Sequence, residues 1–202
     1  MKIICIGRNY ADHAKELNNP VPAEPLIFMK PETAILPKRN PLYYPQFTKD
    51  LHYEVELVVR ISKLGKHIEK RFAHTYYNEI GIGIDFTARD IQMACKEKGH
   101  PWEKAKGFDG SAPISNVFLP KDKITGNTTF GLKQNGEWVQ KGQPKDMLFD
   151  IDDIIAYTSK FYTLKIGDLI FTGTPAGVGP CNIGDRLEAY IEDEMLLKVD
   201  IP

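Results

Sequence analysis

No apolar run in this 202-residue chain approaches the ~18 residues that a bilayer-spanning helix needs. Cysteine is scarce: Cys5, Cys95 and Cys181 stand far apart with no C-x-x-C spacing. That argues against a zinc site or a disulfide framework and in favour of a reducing compartment. Neither sign of charge is in excess, since 26 Lys and Arg face 27 Asp and Glu, so nothing marks a nucleic-acid or membrane partner. The opening "MKIICIGRNY" is apolar too briefly before Arg8 to be a secretory signal. Repeats and low-complexity linkers are lacking as well. These absences point to an ordinary globular protein, expected as one domain over residues 1–202. Its expected location is cytoplasmic, with an organelle matrix as the alternative.

What is present is mostly strand pattern. "KIICI", "LIFMK", 51–61 and "EIGIGIDF" read as strands. "FGLKQNGEWVQKG" reads as a hairpin turning at Asn135-Gly136, and the tail after Asp185 as a closing hairpin. Helices are expected in "NYADHAKELNN", in "TARDIQMACKEKG" and in "DIDDIIAYTSKFYTL". In the second, Thr87 is placed to cap with Asp90 three residues on, Ile91, Ala94 and Cys95 form an apolar stripe, and Gly99 ends the helix. The fold class that follows is α+β, dominated by β-structure.

Within "LHYEVELVV" the alternation of a strand puts Glu54 and Glu56 on one face. Same-face neighbours stand roughly 6–7 Å apart at the backbone, near enough for two carboxylates to converge on one cation. A hard divalent ion resolves their repulsion, and Asp85, after the glycine-spaced strand, offers a third oxygen. Oxygen ligands without thiolate favour Mg²⁺ or Mn²⁺. The competing reading places both glutamates on the solvated face of an edge strand. Gly81 and Gly83 share the face of Asp85 and mark a close approach to the backbone there. "HAKE" sets His13 and Glu16 at i and i+3 of a helix, where a carboxylate can fix an imidazole as a general base. Lys106 in "WEKAKGFDGSAP" could stabilise an oxyanion, and the turn after "FTGTP" could bind a carboxylate through its N–H groups or a threonine hydroxyl.

The ordered set "IGRNYADHAKE", "FMKP", "LHYEVEL", "GIDFTARDIQ", "WEKAKGFDGSAP" and "FTGTPAGVG" resembles the fumarylacetoacetate hydrolase family over nearly the whole chain. Its compact members act as acylpyruvate hydrolases and oxaloacetate decarboxylases. The resemblance implies a rolled mixed β-sheet, a homodimer, and Mg²⁺ or Mn²⁺ held by Glu54, Glu56 and Asp85. It implies a water-activating dyad of His13 and Glu16 on a mobile lid spanning 13–30, with Lys106 as a further catalytic residue. Arg89, Gln92 and Thr174 are implied as substrate contacts, and Arg8 and Lys30 either as substrate contacts or as residues that serve structure or orient the lid. Asp109 falls in a stretch that varies and bears on substrate preference. The expected substrate is a small 2-oxo acid. The leading reaction is hydrolysis of short 3-acylpyruvates or decarboxylation of oxaloacetate through a pyruvate enolate. The alternative is an isomerase or tautomerase of 2-hydroxydienoates or oxaloacetate-type acids.

Overall fold

The computed structural model describes residues 1–16 and 20–202. Its strands are β1 (Ile3–Gly7), β2 (Leu26–Lys30), β3 (Leu51–Tyr53), β4 (Val55–Ile61), β5 (Tyr77–Ile84), β6 (Thr87–Ala88) and β7 (Leu119–Pro120). They continue with β8 (Phe130–Gln134), β9 (Glu137–Gly142), β10 (Leu169–Phe171), β11 (Gly179–Pro180), β12 (Arg186–Ile191) and β13 (Glu194–Asp200). The helices are α1 (Ala11–Glu16), α2 (Lys70–Ala73), α3 (Arg89–Lys98), α4 (Glu103–Lys106) and α5 (Ile151–Phe161). None is long and apolar enough to cross a membrane.

A six-stranded sheet in the order β2-β1-β10-β4-β5-β7 forms the centre. It is mixed: β1 runs parallel to β10, while β4 lies antiparallel to both β10 and β5. Strand β4 is therefore central, and an apolar run such as "VELVVRI" suits burial on both faces. The core joins Val55, Leu57 and Val59 to Ile80, Ile82 and Ile84 and to the inner faces of the β12 and β8 strands. A smaller cluster around Ile3, Cys5, Val58 and Phe171 fills the other side. The four-stranded sheet β13-β12-β8-β9 is built from the two expected hairpins. Its Asn135-Gly136 turn carries positive φ at both residues, as a tight two-residue hairpin requires.

The stretch 51–61 is not one strand. Its first three residues pair with β6 and β11 in a three-stranded sheet, and the chain enters the central sheet only after Glu54. Helix α3 also departs from its pattern. Thr87 lies in β6, no side chain caps the helix, and the residues it buries are Arg89, Gln92 and Cys95 rather than Ile91 and Ala94. Its inner face is polar because it abuts the site described below. Gly99 does close it, at φ 65°. The expected close approach at Gly81 and Gly83 comes from the protein itself: a Cβ on Gly83 would stand 2.8 Å from the Phe171 ring, and one on Gly81 2.6 Å from Ser115 Oγ. The expected lid, 13–30, falls partly on residues 17–19, outside the described residues. Its last five residues are strand β2, paired with β1 throughout, which confines any lid to the residues before them.

Candidate active site

The cluster begins where the two sheets meet. Glu54 is the hinge residue between β3 and β4, Glu56 follows on the same face, and Asp85 leaves the end of the neighbouring strand β5. The backbone ties these together, since Asp85 N–H donates to the Glu54 carbonyl at 2.8 Å. One carboxylate oxygen from each lies within 4.8 Å of the others, and all three residues are buried. The solvated edge strand is thereby excluded.

Three buried cations answer two of the three anions, Glu54 and Asp85. Lys106 Nζ donates to Glu54 Oε2 at 2.8 Å, Asp85 Oδ2 at 2.7 Å and Thr87 Oγ1 at 2.5 Å. Arg89 donates to Glu54 Oε1 at 2.5 Å and to Gln92 Oε1 at 2.7 Å. Lys30 Nζ stands 2.7 Å from Asp85 Oδ1, but its protons are directed to the carbonyls of Phe86, Lys106 and Ser111 and to Ser111 Oγ. Asp85 Oδ1 is nonetheless held by a fully buried ion pair with Lys30. Lys30, expected either at the substrate or in a structural role, is wholly buried behind Asp85 and does not line the cleft.

The glutamates differ in consequence. Burial alone raises the Glu54 carboxyl, but Lys106 and Arg89, with His13 beyond them, hold it well below the usual carboxylate range. Burial raises Glu56 too, and Asp85 and Glu54 add to it, so its carboxyl stays well above that range despite the Gly173 N–H donated to it at 2.7 Å. Lys106 is held up by Asp85 and Glu54 against the lowering effect of its own burial. The donor set is all oxygen and retains, in Glu56, a buried carboxylate with no cation of its own among the described residues. It fits a hard divalent ion.

These groups line a narrow cleft with room for about 40 Å³. Of the expected residues, the structure brings Arg8, His13, Glu54, Glu56, Asp85, Arg89, Gln92, Lys106 and Thr174 to its wall. Glu16 stands behind His13, with its carboxylate 3.3 Å from His13 Nδ1. The glycine-rich turn holds carboxylates, though they are the chain's own: Gly173 serves Glu56, and Gly177 N–H donates to Glu16 Oε1 at 3.0 Å. Arg8 adopts a left-handed φ of 59° at the cleft mouth. Sequence reading missed Thr87 as a partner of Lys106, the aromatic wall of Phe28 and Trp102 with rings 5.9 Å apart, and Lys96 on the inner face of α3. A helix reading that admitted polar residues at i, i+3 and i+7 would have found Arg89, Gln92 and Lys96 together.

The family profile described as "Fumarylacetoacetate (FAA) hydrolase C-terminal" matches residues 2–201. The chain belongs to the fumarylacetoacetate hydrolase family. A mitochondrial oxaloacetate tautomerase of Bos taurus is 43% identical over 201 residues, covering 98% of this chain and 90% of that protein. An oxaloacetate tautomerase of Escherichia coli is 44% identical over 198 residues, covering 96% and 90%. The solved fumarylpyruvate hydrolase of Pseudomonas aeruginosa, in complex with Mn²⁺ and pyruvate, superposes with a TM-score of 0.93 at 36% identity. It covers 100% of this chain and 89% of its own. These similarities support an enzyme with the fumarylacetoacetate hydrolase fold.

Proposed function

We propose that this protein is a divalent-metal-dependent enzyme of small 2-oxo acids, with keto–enol tautomerisation of oxaloacetate as its first reaction. The observation that carries the reading is the buried triad Glu54, Glu56 and Asp85, in which Glu56 has no cationic partner among the described residues, opening on a cleft walled by Arg89, Gln92, Lys106 and Thr174. The tautomerase names of the relatives move that reaction ahead of the hydrolysis and decarboxylation expected from the motifs.

A bound Mg²⁺ or Mn²⁺ would supply Lewis acidity toward the keto oxygen of the acid. The chain supplies the rest. Arg89 and Lys106 present positive charge at the wall, and Gln92 and Thr174 present polar groups for the carboxylate. His13 moves the proton. A carboxylate can only accept at neutral pH, so Nδ1 carries hydrogen toward Glu16 and Nε2 keeps its lone pair. Nε2 takes a proton from C3, the C–H electron pair becomes the C2–C3 double bond, and a proton returned to the C2 oxygen completes the enol.

The same dyad favours a second reading, acylpyruvate hydrolysis. There His13 would take a proton from water as its oxygen attacks the distal carbonyl, and the C–C bond breaks to leave the enol of pyruvate and a carboxylic acid. The fumarylpyruvate hydrolase neighbour supports this alternative. Assembly as a homodimer belongs to the same proposal and is checked by light scattering of the purified protein. So does a cytoplasmic or organelle-matrix location.

The deciding experiment follows the ultraviolet absorbance of oxaloacetate enol, pyruvate release from oxaloacetate and pyruvate release from acetylpyruvate, each with Mg²⁺, with Mn²⁺ and after chelation. Ion-dependent enol conversion outpacing both pyruvate-forming reactions is expected. Pyruvate from acetylpyruvate without enol conversion would reverse the order of the two readings, and full activity after exhaustive chelation would overturn both.

A further inference from the structure

Gln140 belongs to the four-stranded sheet, away from every motif above, yet it reaches into the site. On β8, Leu132 pairs with Gln140 and Lys133 with Trp138, so Val139 is the extra residue of a bulge. Such a bulge re-aims the adjoining side chain, and Gln140 turns inward until only 2% of it is exposed. Its Oε1 accepts from Val55 N–H at 2.9 Å, and its Nε2 donates to Pro175 O at 2.9 Å and to Thr174 Oγ1 at 2.8 Å.

Chemistry fixes which way this amide faces. A backbone N–H can only donate and a carbonyl can only accept, so the oxygen must meet Val55 and the nitrogen must meet Pro175. The second amide proton then goes to Thr174, whose oxygen is obliged to accept. Thr174 keeps its own hydroxyl proton, finds no acceptor for it among the described residues, and lines the cleft.

We propose that Gln140 is a positioning residue that makes the Thr174 hydroxyl a one-way donor to an anionic oxygen of the bound 2-oxo acid. It also pins Val55, the residue between Glu54 and Glu56, so one side chain sets both a substrate donor and the spacing of two carboxylates. This inference rests on the functional reading above, through the assumption that Thr174 faces substrate. Without Gln140 nothing obliges the Thr174 oxygen to accept, its hydroxyl is free to rotate, and the cleft loses a fixed donor.

The test measures Mn²⁺ binding and then pyruvate binding to the Mn²⁺-loaded protein by calorimetry. It uses wild type, Gln140→Met, Thr174→Val and the double variant, with melting temperature as a check on folding. Gln140→Met and Thr174→Val are each expected to weaken pyruvate about tenfold, the scale of one hydrogen bond to a charged acceptor. The double variant is expected to be no weaker than the worse single, because both remove the same donor. A merely structural role would add its cost to that of Thr174→Val. Additive losses, or an unchanged Gln140→Met, overturn the proposal for Gln140 alone. Wild-type protein that binds Mn²⁺ and no pyruvate overturns the functional reading, and this inference with it. Gln140→Asn keeps an amide in the core but draws it out of reach of Thr174, and it replaces Gln140→Met if that variant does not fold.

Discussion

The segments Glu54-Val55-Glu56 and Asp150-Ile151-Asp152-Asp153 are comparably dense in acids, yet the fold uses them in opposite ways. Asp150 caps α5 by accepting Asp153 N–H at 2.7 Å, and Lys70 bridges Asp150 and Asp153 at 3.1 and 2.8 Å. All three of these side chains are well exposed. Around Asp150 and Asp153 the negative charge faces a helix N-terminus and water, and both stabilise it, while Asp152, half-buried, has its carboxyl pushed up by burial and by Asp150. Glu54 and Glu56 are buried, and only Glu54 has full cationic partners. Acid density alone therefore identifies nothing. A carboxylate withdrawn from water and left without a counter-charge is what marks the functional cluster.

The comparison can be broken most decisively at the glutamates. Replacing both Glu54 and Glu56 by Gln is expected to abolish ion-dependent turnover, by roughly a thousandfold or more given the several kcal/mol that a Lewis acid contributes. Unchanged turnover in a coupled assay would sink the metal reading. Next in size is Lys106→Met, which takes from the interior the one cation shared by Glu54 and Asp85 and is expected to lower unfolding stability by about 3 kcal/mol in urea titrations. His13→Ala should slow turnover by roughly a hundredfold or more while leaving Mn²⁺ binding intact, as kinetics and calorimetry on one preparation would show.

pH separates Glu56 from Asp150 by sign. The Glu56 carboxyl is raised in the folded chain, so its contribution to metal-free stability is full below the unfolded carboxylate range, about pH 4. That contribution is lost as pH climbs from there toward the raised folded value. Asp150 runs the other way. Burial pushes its carboxyl up, but the Asp153 N–H and Lys70 more than reverse that, so its contribution is present above about pH 4 and lost as pH falls through the lowered folded value. Melting curves of metal-free wild type, Glu56→Gln and Asp150→Ala across pH 3 to 8 should show Glu56→Gln gaining on wild type as pH rises. A parallel offset at all pH values would contradict the assignment. The smallest effect expected is that of Asp150→Ala at neutral pH, a loss of about 1 kcal/mol with turnover unchanged.

The triad was legible because it needs only short-range logic. Strand alternation aligns Glu54 with Glu56, and Asp85 follows a strand whose glycines flag its face. The hairpin turn and the Gly99 helix end were legible for the same reason, since a positive φ is a local demand. What failed was the assumption that each element buries its most apolar stripe. Helix α3 buries Arg89 and Gln92 because the surface beneath it is charged, and Thr87 forgoes a cap because its oxygen accepts from Lys106. Lys30 and Gln140 were beyond reach on other grounds. Their hydrogen-bond partners lie 56 to 81 residues away for Lys30 and 34 to 85 away for Gln140, and only the closed fold brings them together.

The passage from one sheet to another at Glu54 sets a limit on length variation. One extra or missing residue between Leu51 and Ile61 would leave at least one sheet mispaired, or swing a carboxylate to the far side of its strand. Surface loops elsewhere can lengthen at small entropic cost. This segment has no such slack, so a library of single-residue insertions should reject every one from 52 to 58.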